Sequence, residues 1–425
     1  MKRYLGILVV LMILLNTACS TVSHDDMRSN AVVKTNQENA PVIVVDSELL
    51  ANGNNSVLKY AQYLYEDYNV QFQILPSSSS ERKMQISRLS VEIMSGGGPD
   101  GFILACDEAY LDDEGRKAPL FENVEKVMRL NIFMPMDDLI AKSEYLHMED
   151  HQKVIMDAGK TEEGQMVLPL LYSCSAYFVE GQLTESDVTL NTWDDVLACE
   201  DQKLMSFIWA GRFGWFGCQY TQIADYDRED ILISEEQIAR DVEFLRTIGE
   251  SSESLENMEP VYEIDADSLQ IWEKSPESVT RLCVPNDTGG LTATISAYAA
   301  INRNSKYAEE VFRYIELLFA EEVQSDGGFS VPDPFSVTGE RRYGANSRPS
   351  AALLGTGGGL ATHKRAYSGA QGEFICDLTE KVNAVRFCSD IEIELQELIL
   401  SNYDETELQD ATHDIHERIS IMISE

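Results

Sequence analysis

His147 and His151 stand four residues apart, a spacing that would set two imidazoles on one face of a helix and could hold zinc. Glu149 between them is not at the position of the general base in His-Glu-x-x-His, and the stretch reads as an exposed acidic helix. Asp287-Thr288-Gly289 has the loop composition of an aspartic protease, whose carboxylate dyad needs two such loops; the chain supplies one. No Gly-x-Ser-x-Gly elbow is present, and the glycine runs at 96–98, 289–290, 327–328 and 355–359 lack a following Gly-Lys-Ser/Thr. The glycines punctuate loops. The residues that could do chemistry therefore point away from an enzyme, and no cofactor or metal is implied. One stretch, Phe207 to Phe216, concentrates aromatic side chains among glycines and holds two of the four Trp. It reads either as a core helix with an aromatic stripe or as a binding surface.

The elements that would position such groups are legible in the first hundred residues. Val42-Ile43-Val44-Val45 is a continuous β-branched run, the pattern of a strand buried on both faces of a parallel sheet. A helix follows with Leu58, Ala61, Leu64 and Tyr65 on one face, and Asn54 or Asn55 suits its N-cap. A strand over Val70–Leu75, a Ser-rich turn, a helix from Glu81 to Met94 with Met84, Ile86, Leu89 and Ile93 apolar, and a strand over Gly101–Ala105 complete βαβαβ. That order implies parallel strands and right-handed crossovers. Ligands of such sheets sit beyond the carboxyl ends of the strands, which marks Asp46-Ser47-Glu48 and Cys106-Asp107-Glu108 as the loops of interest.

The chain is 425 residues long, 44% hydrophobic and formally −39 in charge. Two units of ordinary size are expected. The acidity excludes recognition of nucleic-acid phosphates or an anionic bilayer through charge, because the summed field repels both.

Lys2 and Arg3 precede an apolar run from Tyr4 to Leu15, which as a helix would rise only about 18 Å against a hydrocarbon core of about 30 Å. It reads as a signal peptide over residues 1–18. Thr17-Ala18-Cys19 resembles the lipobox of bacterial lipoproteins, which implies that Cys19 is lipidated and becomes the first mature residue. The remaining 407 residues carry −41. Residues 19–40 are polar and aperiodic, a tether of about 25 Å reach for a flexible coil. Seven Cys remain, at 106, 174, 199, 218, 283, 376 and 388, with no Cys-x-x-Cys pair, and buried free thiols are expected.

Several motifs in order resemble the extracellular solute-binding proteins of ABC importers, the carbohydrate-type family 1. They are Gly96-Gly97-Gly98-Pro99-Asp100 before an apolar strand, Met134-Pro135-Met136-Asp137-Asp138-Leu139-Ile140, and Gly164-Gln165-Met166-Val167-Leu168-Pro169. Thr192-Trp193-Asp194-Asp195-Val196, Ala299-Ala300-Ile301-Asn302 with the helix ending at Gln324, and the terminal helix after Tyr403 complete the series. Departures occur after Pro169, where Tyr177-Phe178-Val179-Glu180 replaces the usual aromatic-Tyr-Asn-Lys, and residues 340–370 match no part of the pattern.

The resemblance implies an α/β, two-lobed periplasmic-binding-protein-like fold of type II with the ligand cleft between the lobes. Lobe 1 is expected over 41–170 and 295–332, and lobe 2 over 171–294 and 333–425. It implies a monomeric protein on the extracytoplasmic face of the cell membrane, held there by its lipid anchor. It would deliver a mono- or oligosaccharide to an ABC permease, with no nucleic acid involved. A sugar needs flat aromatic faces and bidentate polar groups. The family's cleft positions carry over to Arg212 and Trp215, to Asp107 and Glu108, to Tyr172 and Ser173, and to Asp46, Ser47 and Glu48, with Trp272 as a further candidate. A sensing or scaffolding lipoprotein without an importer, and an exported glycan hydrolase, are the alternatives.

Overall fold

The computed structural model describes residues 40–46, 55–65, 68–76, 79–106, 111–112, 115–116, 118–180, 190–210, 217–251, 261–264, 269, 279–324, 329–332, 340–343, 360–367, 369–387, 389–401 and 403–424. The principal elements in chain order are β1 (Val42–Asp46), α1 (Asn55–Leu64), β2 (Gln71–Leu75), α2 (Ser79–Met94), β3 (Gly101–Ala105), β4 (Val167–Cys174) and β5 (Ala176–Glu180). They continue with α3 (Trp193–Leu197), α4 (Gln202–Ala210), α5 (Glu235–Ser251), β6 (Val261–Glu263), β7 (Val279–Cys283), β8 (Leu291–Ile301) and α6 (Ala308–Leu318). The last are β9 (Leu360–Ala361), α7 (Gly369–Thr379), β10 (Val382–Phe387), α8 (Asp390–Leu400) and α9 (Glu405–Ser424).

The apolar run of β1 is buried as its composition requires, with Ile43, Val44 and Val45 fully enclosed, and β1 pairs in parallel with β2 and β3 on its two sides. These strands belong to a seven-stranded mixed sheet in the order β9-β4-β8-β3-β1-β2, with β10 also paired to β8. The long strand β8 organises it. One of its edges runs antiparallel to β4; the other pairs first with β10 in parallel and then, from Ala297, with β3 antiparallel.

The glycine run after α2 terminates the helix by backbone geometry. Gly96 has φ +82°, its N–H bonds the Ile93 carbonyl and the Gly97 N–H bonds the Glu92 carbonyl, both at 2.9 Å, which is a Schellman stop. Asp100 then ties three segments together: its carboxylate accepts from the Val42 N–H at 2.9 Å and the Ser305 hydroxyl at 2.7 Å, while its N–H donates to the Val42 carbonyl. The Pro135–Asp138 segment is held similarly, with the Gln165 N–H on Asp137 Oδ2 at 2.8 Å. Thr192 and Asp195 form a capping box at the start of α3.

Two hydrophobic cores result. The first takes β1–β4, β8, α6 and residues as late as Phe387; the second takes Trp193, α4, α5, Leu282, Val284, α8 and α9. Strand β5 is shared, its period of two sending Ala176 and Phe178 into the first core and Tyr177 and Val179 into the second. The chain therefore changes core near 174–176, 283–291 and 387–390, and Ile264 and Leu269 return to the first core in between. Leu360, Ala361, Tyr367, Ile375, Leu378, Val382 and Phe387, which the sequence assigns to lobe 2, pack in the first core.

Other expectations shift too. In α2 the buried stripe is Arg82, Leu89 and Ile93, and Met84 is 69% exposed, because the burial of Arg82 selects the inward face. The His147–His151 segment is a 3₁₀ turn over Met148–Asp150 with His151 extended and buried, not an exposed helix. The His151 ring bonds Thr362 Oγ1 at 3.1 Å and meets the His363 ring edge-on at 5.0 Å. Among the described residues no group of three His, Cys, Asp or Glu is placed to hold a metal, and no helix is long and apolar enough to cross a membrane. Among the described cysteines after Cys19, Cys174 and Cys218 are buried, whereas Cys376 is exposed.

Candidate functional site

A cavity of about 250 Å³ lies between the two cores, with Val124, Met128 and Phe387 of the first facing Ile223, Ala224 and Ile391 of the second across it. One wall is a short helix, Val124–Val127, started by Asn123, whose side-chain oxygen accepts from the Lys126 N–H at 3.0 Å. The opposite wall is a turn between the paired segments Ala224–Asp225 and Asp230–Ile231. Asp225 shapes it by accepting from the Asp227 and Arg228 N–H groups at 3.0 and 3.1 Å, an Asx turn. The third side is the end of β10, where Phe387 packs edge-on against Tyr298 at 5.8 Å.

The walls already touch. Asn123 donates through Nδ2 to the Tyr226 hydroxyl at 2.7 Å. Arg129 donates to both carboxylate oxygens of Asp227, at 2.6 and 3.0 Å, and its guanidinium lies 5.7 Å from the centre of the Tyr226 ring. These hydrogen bonds hold the Asp227 carboxyl below the usual carboxylate range. Beside the cavity, Lys126 Nζ donates to the Met422 and Ile423 carbonyls at 2.7 and 3.0 Å.

Charge in the lining is balanced. Arg129, Lys160 and Arg386 face Glu125, Asp225 and Asp227. Arg129 is matched by Asp227, Lys160 by Asp157 at 2.5 Å, and Asp225 by Arg228 at 3.6 Å. A lining of this kind offers many oriented donors and acceptors and little net field, which suits a solute rich in hydroxyls and poor in charge. Tyr226 supplies a half-buried ring beside them.

Of the residues singled out in sequence, three lie among the described ones, and none of them lines the cavity. Asp46 is 2% exposed and locked to Arg82, so its carboxylate serves the fold. Tyr172 is fully buried, its hydroxyl 3.1 Å from Thr379 Oγ1, and burial pushes its phenol well above the ordinary range. It is a core residue of the sheet. Ser173 is half-buried opposite Thr294 on β8. Ser47, Glu48, Asp107, Glu108, Arg212, Trp215, Trp272 and Cys19 fall outside the described residues. From the aromatic stretch, Phe207 and Trp209 are buried in the second core, the bland of its two readings for those positions.

Sequence reasoning missed Asn123, Arg129, Tyr226, Asp227 and Phe387. Asn123 was readable as an N-cap, with the cations Lys126 and Arg129 following at intervals of three. Its partner turn, 103 residues away at Tyr226, was not.

No family model and no curated protein matches the sequence. Solved structures do. The sugar-binding protein MalE of Xanthomonas citri superposes with a TM-score of 0.55 at 11% identity, covering 91% of this chain and 98% of that one. An extracellular solute-binding protein of family 1 from Alicyclobacillus acidocaldarius gives 0.54 at 10% identity, covering 91% and 99%. UgpB of Mycobacterium tuberculosis, solved with glycerophosphocholine, gives 0.53 at 11% identity with the same coverage. The class that the fold defines is thus the two-lobed, periplasmic-binding-protein-like architecture. Within it, the resemblance is to extracellular solute-binding proteins, at identities that speak for the fold alone.

Proposed function

We propose that this chain is a lipid-anchored extracellular solute-binding protein that captures a small saccharide between its lobes and presents it to an ABC importer. The observation that carries the reading is the cavity between the two cores, walled from both and balanced in charge. At about 250 Å³ it is small against the 300–1,000 Å³ usual for drug-sized ligands, which favours one or two sugar rings over a long oligosaccharide. Contacts from both walls favour the closed form, so the solute shifts a hinge equilibrium and no bond is made or broken. The anchor at Cys19 and the permease rest on the sequence resemblance. The sugar-binding neighbours support the solute class, and the glycerophosphocholine complex shows that the fold admits other solutes.

The test is a thermal-shift screen of saccharides alongside a polyamine, a peptide and glycerophosphocholine, with turnover followed in parallel. Stabilisation by a saccharide without hydrolysis is the expected result. A shift confined to the charged or zwitterionic solutes would overturn the carbohydrate assignment, and turnover of a glycan would overturn the binding class.

A further inference from the structure

Asn123, Lys126 and Arg129 follow one another at intervals of three, and every one of them reaches a group that belongs to the second core. Asn123 reaches the Tyr226 hydroxyl, Lys126 the last carbonyls of α9 at Met422 and Ile423, and Arg129 the Asp227 carboxylate. Their own helix is seated in the first core through Val124 and Met128. Asn123 is the N-cap of the short helix, Lys126 lies within it and Arg129 follows its C-cap Met128, so one compact segment of the first core presents the face that carries all three contacts.

We infer that this face is a clasp between the lobes, and that its strength sets the closed fraction of the molecule and hence the apparent affinity of the cavity. The inference rests on the hinge-closure reading of the cavity proposed above. Hydrogen bonds of 2.6–3.0 Å are lost within an ångström of separation, so a hinge opening at this rim breaks the three together.

The three contacts differ in kind. The Lys126 ammonium sits at the carboxyl end of a 20-residue helix, where exposed carbonyls and the macrodipole favour a cation. The Arg129 fork fits a carboxylate only in one relative orientation of the walls. The pair is solvent-exposed, with side-chain accessibilities of 31% and 71%, and by itself would hold the lobes weakly. Anchoring three contacts on one rigid turn makes them act jointly. Apparent affinity is the intrinsic affinity scaled by the closed fraction, so weakening the clasp at Lys126, which does not line the cavity, weakens binding without altering the lining. It also makes the affinity for a neutral solute salt-dependent, because the exposed ion pair is screened.

The test places a donor and an acceptor dye at exposed Ser87 and Asp410, one on each lobe, and records interlobe distances with and without a saccharide panel led by glucose and maltose. Arg129→Asp and Asp227→Arg are each expected to shift the population to longer distances without solute and to weaken saccharide binding at least fivefold. The double reversal is expected to restore both to within twofold. Lys126→Met, a milder change that keeps the helix, is expected to open the molecule in the same direction. Distances unchanged in the folded single reversals and in Lys126→Met would overturn the clasp. If the reversals open the molecule but no saccharide alters the wild-type distances, the clasp stands and the saccharide reading fails.

Discussion

Arg82 donates to both carboxylate oxygens of Asp46 at 2.8 Å, with both side chains almost wholly buried. The same guanidinium donates to the Ala118 and Pro76 carbonyls at 2.6 and 3.2 Å. One cation therefore joins the end of β1, the segment after β2, the start of α2 and the segment leading to the cavity wall. A carboxylate at a strand end, read in sequence as a ligand contact, is a tie between loops.

Removing one partner of this pair is expected to cost about 3–5 kcal/mol, because the other charge is left buried and uncompensated. Denaturant unfolding of Arg82→Ala measures it. The double change Arg82→Met with Asp46→Leu should recover most of the loss, since apolar side chains of similar volume carry no desolvation penalty. An Arg82→Ala protein of unchanged stability would show that the fork contributes little.

His151 provides a pH dependence with a definite sign. Burial, with the neighbouring His363, Lys364 and His147, pulls its imidazole down from 6.5 to about 3. The folded protein thus holds it neutral where the unfolded chain would take a proton. Stability is full above pH 6.5 and falls as pH drops towards 3, at up to about 1.4 kcal/mol per pH unit for this one proton. Denaturant midpoints between pH 7 and 4 should show the slope, and His151→Phe should reduce it. An equal slope in that variant would assign the dependence to other groups.

Tyr172→Phe removes a hydroxyl from the core and not from the cavity. The expected cost is about 0.5–1.5 kcal/mol in stability, with saccharide affinity unchanged. A loss of affinity out of proportion to stability would return Tyr172 to the binding site.

Tyr226 has the opposite signature. Tyr226→Ala deletes the aromatic ring of the turn together with its bond to Asn123, and saccharide affinity measured by calorimetry should fall tenfold or more, about 1.4 kcal/mol. Tyr226→Phe keeps the ring and should lose less. Wild-type affinity in Tyr226→Ala would mean that the solute sits elsewhere.

Gly96→Ala tests the helix stop. At φ +82° an L side chain is strained, and a loss of about 1–2 kcal/mol is expected in thermal or denaturant unfolding, with binding intact. No loss would mean that the turn relaxes.

The sequence by itself determined the elements and their order. Val42–Val45 could only be an enclosed strand and Gly96-Gly97 had to end a helix, because these signals are local and act within a few residues. The α/β class followed from such signals taken in series, and the two-lobed fold from the resemblance that several motifs in order carry. The site was decided elsewhere. Whether Asp46 met a solute or Arg82 depended on α2 turning Arg82 inward at the expense of Met84. Whether Asn123 and Arg129 merely capped and decorated a helix depended on a turn at Tyr226 and Asp227 arriving across the cleft. The first pairing spans 36 positions and the others 98 and 103, and no local periodicity encodes them; tertiary packing brings them together. Propensity and patterning are properties of neighbours in the chain, whereas a cavity between lobes is a property of neighbours in space.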